Sequence, residues 1–242
     1  MNPYASHPYE VPISRAPVDA RVSFLRHVGL LTFGGLATAS ITGVISMVAI
    51  LAAPEILMNR FVMLAVVFGA MFGTQAIGSS IGRTPDRSGQ LARFVAGTAL
   101  EGVAFGYLFV MAAVGSAAIY GNPLVVLGQA SVIVGLSVLG MVAYLLTGPK
   151  NLSLIGSAIA VMGLPMLGLM VFSAVFPIGG TLGLLLSVGF VVMSGGALLY
   201  NLNHVMHTMS TSQPVSAAFH VTLGILTFFW NVVMLLLKLQ RR

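Results

Sequence analysis

The sequence predicts an all-α polytopic membrane protein with seven transmembrane helices, and three observations carry that prediction. Hydrophobic residues fill 57% of the 242 positions and charged residues only 7%, whereas roughly a quarter of a soluble domain is charged. Mean hydropathy is +1.00. The apolar residues also fall in long unbroken runs, each near the ~20 residues that cross a bilayer core as a helix. A membrane barrel would show short alternating segments instead.

Residues 1–26 read as a disordered cytoplasmic tail, and residues 27–242 as a single helical transmembrane domain. Pro3, Pro8, Pro12 and Pro17 disfavour helix until Val18, because proline lacks the N–H and clashes with the preceding turn. No short apolar region with a cleavage site is present, so a signal peptide is not expected. Arg21 and Arg26 then lead into the first span.

The expected spans are Val28 to Ala53, Phe61 to Ile81, Phe94 to Ile119, Val125 to Leu146, Leu152 to Phe176, Leu182 to Leu202 and Ser216 to Leu237. Pro54, RTPDRSGQ from Arg83, GNP at Gly121, GPKN at Gly148, PIGG at Pro177 and STSQP ending at Pro214 separate them, since proline and glycine punctuate helices. Pro165, inside the fifth span, marks a kink. GAMFG at Gly69, GSSIG at Gly78 and GVAFG at Gly102 have the small-xxx-small spacing that lets helix backbones approach in lipid, and they read as packing sites.

Lysine and arginine fix the expected orientation. With a cytoplasmic N-terminus, Arg15, Arg21, Arg26, Arg83, Arg87, Arg93 and Lys150 lie inside and Arg60 outside, as the positive-inside rule demands. Seven spans then place Lys238, Arg241 and Arg242 outside, against that rule, and a re-entrant late segment with six spans is the alternative. The net charge of +6 follows from this topology. It forms no basic patch interleaved with aromatics, so nucleic acid is not an expected partner; the lipid bilayer is. The absence of cysteine excludes disulfides and thiol nucleophiles.

Glu101 is the one acid expected inside the hydrocarbon. Seven residues beyond Phe94, at 1.5 Å per residue, it lies roughly 10 Å deep. A carboxylate there costs roughly 2.5–3.5 kcal/mol on insertion scales, so it faces other helices or water. In the last span His220, Gly224, Thr227, Asn231 and Lys238 recur at helical steps and form one polar stripe. Such a stripe points into a bundle, and the expectation is an interior shared by Glu101, His220, Thr227 and Asn231. His204 and His207 lie one turn apart but have no carboxylate or thiolate nearby, so they read as interfacial polar groups and no metal is expected. No nucleophile motif, phosphate-cradling loop or carboxylate pair is present, so neither an enzyme nor a cofactor is expected.

YLLTGPKNLSLIGSAIAVMGLPMLGLMVF from Tyr144 resembles the helix, lysine-bearing loop and helix of the Bax inhibitor-1 family. LLSVGFVVMSGGALLYNLNHV from Leu185 is similar to that family's sixth helix, and LGILTFFWNVVMLLLKL from Leu223 to its last, with Asn231 at the family's asparagine. LEGVAFG from Leu100 resembles third-helix sequences of bacterial members, and RVSFLRHVGLLTFGGL from Arg21 the approach to the first helix. The resemblance implies six helices around a central last one, in a bacterial inner membrane. It also implies a pH-sensitive calcium leak gated by an aspartate pair on the sixth and last helices. The matching positions here are Asn201 and Phe228, neither of which ionises. Two functions follow: an altered leak for Ca²⁺ or H⁺ with Glu101 and Asn201 on its path, or a non-conducting protein acting through a partner such as an FtsH-type membrane protease.

Overall fold

The computed structural model describes residues 12–148, 151–159, 161, 162, 165, 169 and 179–240. The α-helices with described bounds are α1 (Val18–Ala52), the short α2 (Pro54–Leu57), α3 (Arg60–Ile81), α4 (Arg87–Tyr120), α5 (Val125–Leu146), α6 (Gly180–His207) and α7 (Pro214–Gln240), and residues 153–159 are helical as well. Of α1 to α7, all except α2 are long and apolar enough to cross a membrane. The chain is thus an all-α polytopic membrane protein. About half of the fifth expected span, Leu152 to Phe176, lies outside the described residues.

The breaks are chemical. Asp86 precedes α4 and accepts from the Gly89 N–H at 2.6 Å, satisfying one of the orphan donors at a helix start. Gly121, with φ +68°, ends the same helix in the left-handed conformation that glycine adopts without strain. Asn59 caps α3 through the Phe61 N–H.

α1, α4 and α7 run one way and α3, α5 and α6 the other. The Ile13 N–H donates to the Met209 carbonyl at one end, while Gln240 donates to Gln129 at the opposite end. The two described termini therefore lie at opposite ends, as an odd number of crossings requires. α7 packs against α1, α3, α4, α5 and α6, which makes it the central helix. Its core side is aromatic: Phe219 meets Phe94 edge-on at 6.1 Å between centroids, and Trp230 meets Phe105 at 5.6 Å. Phe33, Ile41 and Leu136 are exposed as lipid-facing side chains.

Two boundaries need correction. α1 begins at Val18, not Val28, and α4 at Arg87, not Phe94. Both helices run on past the hydrocarbon because capping and hydrogen bonding, not hydropathy, decide where a helix starts. At about 52 Å for the 35 residues of α1, the helix is longer than a ~30 Å core needs. The expected disordered tail is also corrected for residues 12–26. Ile13 is fully buried and Phe24 is 3% exposed, so this segment packs onto the bundle.

The glycine spacings do mediate packing, selectively. A methyl group at Gly102 would lie 2.5 Å from the Ala39 carbonyl oxygen on α1, and one at Gly106 would lie 2.9 Å from the Met47 nitrogen. At Gly69 and Gly82 nothing lies within 4 Å. The close approach of α1 and α4 is bridged by the Ser46 hydroxyl, which donates to the Val103 carbonyl at 2.9 Å.

Candidate functional site

Two polar regions sit within the bundle, on different sides of α7. Glu101 lies on α4, half-buried, and its carboxyl meets the Thr74 side chain of α3. Thr74 is 1% exposed and also donates to the Gly97 carbonyl at 3.3 Å. This pairing supplies the polar partner that a carboxyl needs within hydrocarbon. Thr74 was not singled out from sequence; the only signal for it is a Thr-Gln pair that ends the apolar run from Phe61 to Gly73.

The second region is the α6–α7 contact. A Cβ at Gly224 would lie 3.7 Å from Asn201 Nδ2, and one at Gly195 would lie 3.2 Å from the Phe228 ring. Asn201 and Phe228 thus project onto glycines of the facing antiparallel helix. Phe228 is 6% exposed. One turn from Asn201, His204 comes close enough to His220 for their charges to interact. Lys238 donates to the Gly183 carbonyl at 3.1 Å near the opposite end of the same interface.

The expected shared interior is therefore corrected. Phe219, Trp230 and the rest of the aromatic face turn towards α4, while Gly224 and Lys238 turn towards α6. At 100° per residue these are different faces of one helix. His220 and Thr227 are exposed, and Asn231 is half-buried with its amide donating to the Thr227 carbonyl at 3.0 Å. Glu101 faces α3 instead. The inward-pointing rule says that a polar stripe meets protein but not which neighbour it meets, and the central helix has neighbours all round. His207 Nδ1 bonds the Asn203 carbonyl of its own helix at 3.2 Å. Among the described residues, no three His, Asp or Glu side chains converge as a metal site would require.

The family model described as Inhibitor of apoptosis-promoting Bax1 matches residues 21–242. The chain belongs to the Bax inhibitor-1 family. No curated protein and no solved structure matches it. In this Bax inhibitor-1 protein, the positions that align by resemblance with the family's aspartate pair, Asn201 and Phe228, both lie in the α6–α7 contact. A carboxylate pair sharing a proton there needs two ionisable groups; an amide and a phenyl ring supply none. The ring also occupies the space beside Gly195. The chemistry left at this interface is imidazole at one end, an ammonium at the other, and an amide and a phenyl ring between.

Proposed function

We propose that this Bax inhibitor-1 protein is a non-enzymatic, non-conducting member that acts by contact with another membrane protein. The observation that carries the reading is Phe228, buried against Gly195 where the resemblance puts an aspartate. A phenyl ring cannot shed an ion's hydration shell or bind calcium as a carboxylate does. An FtsH-type membrane protease, the partner class implied by the resemblance, is the first partner to test. We also propose that the end carrying Arg15, Arg21, Arg26, Arg83, Arg87 and Arg93 is cytoplasmic, as the positive-inside rule supports, in a bacterial inner membrane.

A second reading, a pH-sensitive proton or cation leak, is favoured by Glu101, held half-buried against Thr74 with no basic partner beside it among the described residues. Ca²⁺ and H⁺ flux in proteoliposomes between pH 5 and 8 separates the two. The non-conducting reading expects wild-type flux no higher than empty vesicles, and flux for calcium to appear, if anywhere, only in Asn201→Asp/Phe228→Asp. Wild-type flux that disappears in Glu101→Gln would replace it with the second reading.

A further inference from the structure

The extra length of α1 and α4 builds a feature that the membrane bundle does not need. Their first turns project beyond the expected hydrocarbon boundary at Val28 and Phe94, and with the α6–α7 loop they enclose a cleft of ≈520 Å³. Phe24, His27, Arg87, Gln90, Ser212 and Val215 are among its walls. A second cleft of ≈500 Å³ adjoins it, sharing Ser23 and His27 and adding Arg26, Asp19, Val22 and Leu30.

We propose that these joined clefts bind the phosphate of an anionic phospholipid, with Arg26, His27 and Arg87 holding the headgroup and an acyl chain lying along Val22 and Leu30. Four observations support this. First, the side chains of Arg26 and Arg87 make no hydrogen bond or ion pair among the described residues, so both guanidinium groups are available. Guanidinium groups match phosphate oxygens with paired N–H donors. Second, His27 Nδ1 donates to the Ser23 carbonyl at 2.9 Å, which fixes the ring with Nε2 turned away, and in the imidazolium form Nε2–H is then the donor that reaches a phosphate oxygen. Third, Val22 and Leu30 are 60% and 63% exposed, so an apolar wall continues from the basic cleft onto the lipid-facing side of α1. Fourth, the clefts lie within two turns of the expected hydrocarbon boundary, which is the depth of headgroups. Asp19 is an acid in the second cleft, but two arginines outnumber it. Asp86, the other acid at this end among the described residues, is engaged by the Gly89 N–H and the Ser88 hydroxyl.

A soluble phosphate compound would use the same guanidinium groups but gain nothing from Val22 and Leu30. The lipid is therefore the occupant argued for, and free phosphate is an outcome of the test.

The test is native mass spectrometry of the full-length protein in detergent, titrated with phosphatidylglycerol, phosphatidylcholine or inorganic phosphate. Phosphatidylglycerol should bind well above phosphatidylcholine, and Arg26→Gln/Arg87→Gln should weaken it about thirtyfold, roughly fivefold for each basic side chain near an anionic surface. Arg60→Gln, at the other end of the bundle, should leave binding unchanged. Leu30→Asn should weaken long-chain but not dihexanoyl phosphatidylglycerol. Equal binding of the two lipids, or undiminished binding in the double variant, would overturn the proposal. Displacement of the lipid by millimolar inorganic phosphate would overturn the lipid in favour of a soluble phosphate ligand. Both arginines are exposed, and retained helicity and unfolding midpoint would show that the variants fold. If the double variant does not fold, Arg87→Gln alone carries the comparison.

Discussion

Replacing Gly102 by alanine should loosen α1 from α4. The added methyl carbon would lie 2.5 Å from the Ala39 carbonyl oxygen and 2.9 Å from Thr42 Cβ, with Thr42 Oγ1 nearer still. Carbon contacts are favourable only at about 3.5–4.0 Å. Thr42 can rotate, but Ala39 O is backbone, so α1 itself must shift by an amount on the order of 1 Å. Overpacking of this kind costs about 1–3 kcal/mol. The shift also weakens the Ser46 to Val103 hydrogen bond, a class of contact worth about 0.6 kcal/mol between membrane helices. Alanine returns roughly 0.5–1 kcal/mol through its better helix propensity. The control is Gly69→Ala, where nothing lies within 4 Å and only that propensity gain remains. The two variants should therefore differ by about 2–3 kcal/mol. Unfolding in mixed micelles can be followed through the fluorescence of Trp230, the sole tryptophan, which packs on Phe105 of α4. If Gly102→Ala unfolds at the same denaturant concentration as Gly69→Ala, or at a higher one, the close α1–α4 approach is not what holds these helices.

Two further predictions follow from polar contacts. Ser46→Ala removes the α1–α4 bridge without adding volume and should cost about 0.6 kcal/mol, and no more than about 1.7, in the same unfolding assay; a neutral result would place the bond outside the energetics of the bundle. The Gly89 N–H and the Ser88 hydroxyl hold the Asp86 carboxyl below its ordinary value of 3.8. Because the folded value is the lower one, this stabilisation is fully present above about pH 4 and is lost as pH falls through the folded value. Asp86→Asn keeps a capping side chain and should flatten the acid limb of the stability profile below pH 4. An unchanged acid limb would assign it to other groups.

The span pattern was legible because hydropathy and helix punctuation are local properties. Phe61 to Ile81 was expected and Arg60–Ile81 observed, and Val125 to Leu146 was found as expected. Helix starts outside the hydrocarbon were not legible to the same rule: α1 gains ten residues and α4 seven at their polar ends, where Asp86 and backbone hydrogen bonds decide. The glycine motifs showed which residues are able to pack but not which do. Gly102 meets α1 whereas Gly69 meets nothing, and only the arrangement of helices in space separates them. The polar residues failed in a similar way. Glu101 needed a polar neighbour, and the sequence offered the stripe on the last span; the bundle supplied Thr74 of α3 instead.

The α6–α7 contact packs two helices closely with no ionisable pair between Asn201 and Phe228. Two antiparallel helices are held here by reciprocal small-to-large pairs, Gly195 with Phe228 and Gly224 with Leu198, Asn201 lying beside the latter. Glycine on each side admits the larger group of the other, and neither pair depends on charge. A ring and an amide fill this contact without burying a charge, whose desolvation would offset much of any hydrogen bonding gained. The fold therefore places no demand on the ionisable site. The arrangement of helices leaves the activity to the residues that occupy this contact.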